Sequence, residues 1–316
     1  MIIEYYLCRY YRHRIALLNT KIVTLKRLLL SCLIALPLFA SAQKHHEIGI
    51  WVGAANYHGD LQTQWVPTGV QNSGTYKPSV GILYKYFVNP NVGFRFGASY
   101  VPITGADSLS NITANKLRNL SFANNLVEVY GGIELNLLPI DIDKFHFTPY
   151  IFAGIGAFYG KPFAMDDQGN KVNLRDLGTE GQGLPMYPDR KTYPLVNAMF
   201  PFGGGVKCLV GNTLVISAEV GLRYTTTDYI DDVSRSYVSM DTLLAYKGQK
   251  AVDMSYRGNK QDNWDGNYPN YKFQRGDYKH NDWYWTAGVS VTIYFEAFGN
   301  IKEYIQTKCP RIFGKR

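Results

Sequence analysis

WYWTAGVSVTIYF, residues 283–295, alternates without a break: Trp283, Trp285, Ala287, Val289, Val291, Ile293 and Phe295 fall on one face of an extended chain, and Tyr284, Thr286, Gly288, Ser290, Thr292 and Tyr294 on the other. Successive side chains of a strand point to opposite faces, so this period of two predicts a strand with one greasy face and one polar or small face. VGFRFGASY (92–100) repeats the pattern, with Val92, Phe94, Phe96, Ala98 and Tyr100 opposite Gly93, Arg95, Gly97 and Ser99. So does LVISAEVGLRY (214–224), with Glu219, Gly221 and Arg223 on its polar side. Segments 47–57, 79–88, 125–137, 147–160 and 199–210 fit as well, and no long stretch after residue 42 keeps a 3.6-residue apolar period. The sequence therefore predicts eight strands.

Each strand is around ten residues or longer, above the ~5–6 usual in soluble sheets and near the ~9–11 that cross a bilayer at a tilt. The connections alternate in length. Long stretches 58–78, 101–124, 161–198 and 225–282 alternate with the short VNPNV, LPIDIDKF and VGNT. An outer-membrane barrel has this arrangement, with short periplasmic turns and longer extracellular loops. The expected fold is all-β, an eight-stranded antiparallel transmembrane barrel of outer-membrane type spanning residues 43–296, with both ends of the chain periplasmic.

A soluble β-sandwich is the competing fold. It would put Lys85, Arg95, Glu128, Glu134, Lys207, Glu219 and Arg223 outside and leave the glycines beside them unexplained. In a closed barrel the greasy face meets lipid, and these four basic and three acidic residues line a narrow lumen where they can neutralise one another. So filled, an eight-stranded barrel has no room for a solute pore. Trp283, Trp285, Tyr100, Tyr159, Tyr224 and Phe295, near strand ends, suit interfacial girdles.

The formal charge of +8 suggests nucleic acid at first sight, but the excess is terminal. Residues 1–42 carry six basic residues against Glu4, and the stretch after Phe295 adds Lys302, Lys308, Arg311, Lys315 and Arg316 against Glu296 and Glu303. The body between is near neutral, with no basic stripe to face phosphates, so no nucleic-acid partner is expected. KRLLLSCLIALPLFASAQ reads as a signal peptide cleaved after Ala42, its apolar run being too short to span a bilayer. The run continues past Cys32 to Phe39, which argues against a lipid-bearing Cys32. The preceding MIIEYYLCRYYRHRIALLNT is unusual ahead of a signal peptide, and a misplaced start codon accounts for it as well as any function does. The mature chain keeps Cys208 and Cys309, too few for a disulfide scaffold, and whether they pair stays open. Residues 297–316 form a basic periplasmic tail.

No cofactor motif appears. The glycines of LGTEGQGLPMYPD (177–189) lack the GxxxxGK[ST] of a phosphate loop and read as an ordered extracellular turn structure. No histidine is expected mid-strand beside a lipid-facing serine, so a lipid-modifying enzyme is disfavoured and no catalytic residue is assigned. His45 and His46 read as a solvated terminus rather than a metal pair. TTTDYIDDVSRSYV (225–238) crowds Asp228, Asp231 and Asp232. It lacks the glycine and closing glutamate of an EF-hand loop, so the ordinary reading caps turn amides or pairs with Arg235 or Arg223, and a weak cation site is the minor one. YRGNKQDNWDGNYPNYKF, in the long last loop, has the composition of an adaptable recognition surface.

AANYHGDL (54–61), RNLSFANNLVEVYGGIELNL (118–137), FTPYIFAGIGAF (147–158), LGTEGQGLPMYPD (177–189) and AEVGLRYTTTDYIDDVSRSYV (218–238) together resemble the PorG-like outer-membrane family of the type IX secretion system. The resemblance runs from about Glu47 to Pro310, and LGTEGQG and TDYIDDVS are its most specific pieces; the lengthened last loop departs from compact members. It implies a non-enzymatic barrel in outer-membrane lipid that works with a periplasmic ring built by the PorK lipoprotein and PorN. That machine exports cargo and, in gliding cells, adhesins. The tail, with Lys302, Lys308, Cys309 and Arg311, is then expected to dock on the ring. A general small barrel serving envelope integrity or adhesion is the alternative.

Overall fold

The computed structural model describes residues 44–64, 74–110, 112–139, 147–211, 213–262, 264–269 and 273–296. The leader and the tail, with Lys302, Lys308, Cys309 and Arg311, lie outside the described residues. Ten strands follow in chain order: β1 (His45–His58), β2 (Lys77–Asn89), β3 (Val92–Ala106), β4 (Ser121–Asn136), β5 (Phe147–Tyr159), β6 (Phe163–Met165), β7 (Lys171–Asn173), β8 (Val196–Val210), β9 (Leu214–Thr225) and β10 (Trp283–Glu296). The eight long strands pair antiparallel, each with its neighbours in the chain, and β1 pairs with β10 to close the ring. Register at that seam runs unbroken from His45 opposite Glu296 to His58 opposite Trp283. The fold is a closed, all-β, eight-stranded antiparallel barrel. Closure leaves no strand edge among the eight, which is what a sheet without water to satisfy its amides requires.

Its burial is inverted relative to a water-soluble protein. Outward residues such as Ile82 and Ile155 are 64% and 62% exposed, whereas the inward Lys85, Arg95, Glu134 and Lys207 are buried. Alternation set this, since the predicted greasy faces of β3, β9 and β10 all point outward. Aromatic clusters rim the wall: Phe200, Phe202, Tyr224 and Trp283 at the loop end, and His46, Tyr84, Tyr86 and Phe295 at the turn end. Glycines clear the lumen. Gly53 faces Gly288 across the seam, where a Cβ on Gly53 would meet the Ala287 carbonyl oxygen at 2.3 Å and the Trp51 ring at 2.8 Å.

The loop end differs from expectation. Residues 101–124 do not all form a loop, because β3 continues to Ala106 and β4 starts at Ser121. Pro102, Gly105 and Asn119 punctuate this stretch and read as breakers. The inward side chains Val101, Ile103, Phe122 and Leu126 nevertheless keep the period and join one buried core with Tyr57, Leu61, Leu174, Ile230, Val233 and Met254. The long loops thus fold down over the barrel mouth as a cap. Among the described residues four short α-helices lie in them: α1 (Thr113–Arg118), α2 (Leu174–Leu177), α3 (Met240–Lys247) and α4 (Gln249–Ser255). Among the described residues no helix is long and apolar enough to cross a membrane.

Candidate functional site

All seven lumen charges named from the sequence meet inside the barrel. Glu134 takes Lys207 at 2.6 Å, Lys85 at 3.0 Å and Arg95 at 3.3 Å. Arg95 also forks onto Glu219 at 2.6 and 2.8 Å, and the Tyr150 hydroxyl donates to the same carboxylate at 2.7 Å. Nearer the cap, Arg223 reaches Glu128 at 3.1 Å, to which Tyr284 donates at 2.6 Å. Bidentate, charge-assisted bonds of this kind hold their geometry tightly. An eighth charge completes the balance: Glu47 lies 3.5 Å from Lys85 and 3.6 Å from Lys207. Sequence reasoning passed over Glu47, although the alternation of β1 placed it inward. Among the described residues, four cations and four carboxylates line the lumen.

His45 and His46 are not a solvated terminus. They sit inside β1, where consecutive residues face opposite ways. His45 is buried between Phe87 and Tyr294, with centroids at 4.5 and 4.4 Å, and lies 3.6 Å from Glu47. His46 faces outward and bonds the Tyr84 hydroxyl at 2.8 Å. Cys208, on the outward face of β8, is half-buried.

TDYIDDVS lies in the cap core rather than on its surface, because Ile230 and Val233 belong to the apolar cluster that stoppers the mouth. Its carboxylates diverge. Asp231 accepts the Val233 N–H at 2.8 Å and lies 2.7 Å from the Tyr57 hydroxyl, which is also 2.8 Å from Asp282. That hydroxyl has one hydrogen to give, so the second contact needs a proton on one of the two carboxyls. Burial, followed by carboxylate neighbours, drives the pKa of both Asp231 and Asp282 well upward. Asp232, in the left-handed region at φ 69, turns the other way, to the hydroxyls of Thr179 and Tyr193. Asp tolerates this conformation better than most residues.

The pairing expected with Arg235 or Arg223 is replaced, since Arg235 goes to Asp189 and Arg223 to Glu128. The cation that the run meets is Arg275, which bonds the Asp232 carbonyl at 2.7 Å and Glu180 at 2.9 Å. Glu180 belongs to LGTEGQG and also takes the N–H groups of Ser234 and Arg235 at 3.0 and 3.1 Å. Gly178, Gly181 and Gly183, at φ 62, 75 and 77, bend that segment into place. The two most specific pieces of sequence thus hold one another. Burial raises Asp228 to about 9, helped by Asp231, Asp60 and Glu180 and opposed by a bond to Ser234. Asp60 and Asp232 are each pushed to about 6, again chiefly by burial. Among the described residues no group of three or more His, Cys, Asp or Glu is arranged to hold a metal ion.

A family model described as a domain of unknown function, DUF6089, matches residues 26–247. No curated protein matches the sequence. Among solved structures, the attachment invasion locus protein Ail of Yersinia pestis is 10% identical, covers 80% of this chain and 99% of its own, and has a TM-score of 0.36. Neisserial surface protein A is 9% identical, over 80% of this chain and 98% of its own, with a TM-score of 0.36. A major outer membrane protein of Thermus thermophilus is 10% identical, over 79% and 99%, also with a TM-score of 0.36.

Proposed function

The chain belongs to the DUF6089 family of unknown function, and we propose that it is a non-conducting, non-enzymatic scaffold barrel of the bacterial outer membrane. One observation carries this reading: the barrel is apolar outside and filled inside by mutually neutralising buried ion pairs, as where Lys85 and Lys207 lie between Glu47 and Glu134. Such a wall is stable only against lipid, and such a lumen passes no solute.

The finer role we propose is in the type IX secretion machine, anchoring or positioning the periplasmic ring of PorK and PorN. The resemblance of LGTEGQG, TDYIDDVS and the strands around them supports it. The pairing of His45 with Glu296 supports it further, because the chain then leaves β10 at the short-turn end, the periplasmic side in this reading. Residues 298–316, with Lys302, Lys308, Cys309 and Arg311, form the docking element. Pulldown from detergent-solubilised membranes should recover the ring proteins with the full chain and lose them when 298–316 are deleted. Unchanged co-purification would sink the docking role. Intact export of C-terminally signalled cargo in a deletion strain would instead favour a general barrel of envelope integrity or adhesion.

A further inference from the structure

The outward wall of the barrel carries an apolar groove of about 580 Å³ that crosses β10, β1, β2 and β3. Strand pairing sets its side chains in two rows. Ile293, Ile48, Tyr84 and Phe96 form one, and Ile50, Ile82 and Ala98 the next. Ala98 makes the hollow, because its methyl stands between Phe96 and Tyr100 on its own strand and between Ile82 and Val129 on the strands beside it. Phe96 widens it by lying over Gly131, where a Cβ would stand 3.3 Å from the ring. Gly49, Leu83 and Gly97, whose side-chain positions turn inward, complete the floor.

Toward the short-turn end the next outward row is Phe295, His46, Tyr86 and Phe94. His46 is its polar member. Its ring stacks on Phe295 at 5.2 Å and tilts against Tyr86 at 4.9 Å, and its Nδ1 lies 2.8 Å from the hydroxyl of Tyr84, which lines the groove. A neutral imidazole has one N–H and a phenol one O–H, and their mutual bond uses one of the two. Whichever partner donates, the pair keeps one hydrogen for an acceptor. Lys44 is exposed two residues before His46, and the period of two puts it on the same outward side. An apolar trough that ends at a hydrogen-bond donor and a cation fits a ligand divided in the same way, a hydrocarbon chain with an anionic, acceptor-rich head. A cationic head would be repelled by Lys44, and a headless hydrocarbon would leave the donor unmatched. In this reading the short-turn end lies in the periplasmic leaflet, whose lipids are glycerophospholipids.

We propose that the groove is a specific site for a glycerophospholipid of the periplasmic leaflet, with an acyl chain lying over Ala98 and the phosphate meeting His46, Tyr84 and Lys44. The inference rests on the reading of the wall as lipid-facing, and heat-modifiable gel mobility tests barrel folding separately from the lipid site. The full chain, folded in detergent micelles, is titrated with dioleoyl phosphatidylglycerol and dioleoyl phosphatidylethanolamine, and lipid adducts are counted by native mass spectrometry. Dioleoylglycerol and dioleoyl trimethylammonium propane, with the same chains and no phosphate, are the controls. Both phospholipids are expected to bind saturably, at least roughly tenfold tighter than either control, the size of a hydrogen bond to a charged group. His46→Phe, which keeps the ring and removes its nitrogens, should erase that preference. Ala98→Trp, which fills the hollow, should weaken phospholipid binding by at least roughly tenfold. Both are changes on a lipid-facing wall that leave strand pairing intact, so gel mobility should stay wild-type. Dioleoylglycerol bound as tightly as the phospholipids, preference for the trimethylammonium lipid, dimers of the chain in place of lipid adducts, or phospholipid binding undiminished in either variant would overturn the proposal.

Discussion

Asp228, Asp231 and Asp232 show how much a residue's role depends on what surrounds it. Their crowding in sequence resembles an ion site, yet in the cap they are anchor points facing three directions. Arg275 is the counter-charge for that region, touching Glu180 at 2.9 Å while itself buried. Removing one partner of a buried pair strands the other, so Arg275→Ala should destabilise the cap by about 3–5 kcal/mol. Denaturant titration followed by cap-specific proteolysis would measure it. The raised carboxyls set a pH dependence whose sign is fixed. Asp60 and Asp232 rise to about 6 and Asp228 to about 9. These values exceed the ~4 of an unfolded Asp, so the folded cap binds protons more tightly. Cap stability should fall as pH rises from about 4 through about 6 and, through Asp228, on to about 9. Amide exchange at residues 227–238, corrected for intrinsic rates, should be slower at pH 4.5 than at pH 8. Asp228→Asn should remove the upper part of that slope and slow exchange at pH 8; an unchanged slope would show that burial of Asp228 is not its cause.

At the scale of elements, the strands were legible because lipid and lumen make opposite demands on alternate residues. β10 and β9 follow their predicted limits within a residue. The extension of β3 and β4 was hidden by Pro102 and Gly105, local signals that lost to burial of Val101, Ile103 and Phe122 under the cap. Two substitutions test the wall. Ile82→Arg places a charge on an outward residue 64% exposed, a change that water at this face would tolerate but that costs about 2–4 kcal/mol near the bilayer midplane. Folding into lipid vesicles would read that loss. Gly53→Val should block assembly of the seam, because even its Cβ falls 2.3 Å from the Ala287 oxygen. Heat-modifiable mobility should then be absent. Glu134→Ala leaves Lys85, Lys207 and Arg95 short of their shared partner and should cost about 3–5 kcal/mol in urea unfolding.

For the whole molecule, the ion-paired lumen and the apolar stopper act in series. Planar bilayers containing the folded chain should show no steady conductance, and open channels of solute size would contradict the closed lumen. The sequence by itself determined the eight strands, the face each turns to lipid, and the inward placement of Lys85, Arg95, Glu128, Glu134, Lys207, Glu219 and Arg223. Those follow from a period of two that each strand carries locally. Only the tertiary structure decided who pairs with whom: Glu47 and Glu134 sharing two lysines, LGTEGQG clasping TDYIDDVS through Glu180 and Arg275, and the loops closing into a cap. These contacts join residues as far apart as Glu47 and Lys207 in the chain. No local periodicity encodes them, because they exist only once barrel closure has brought the four long loops to one end.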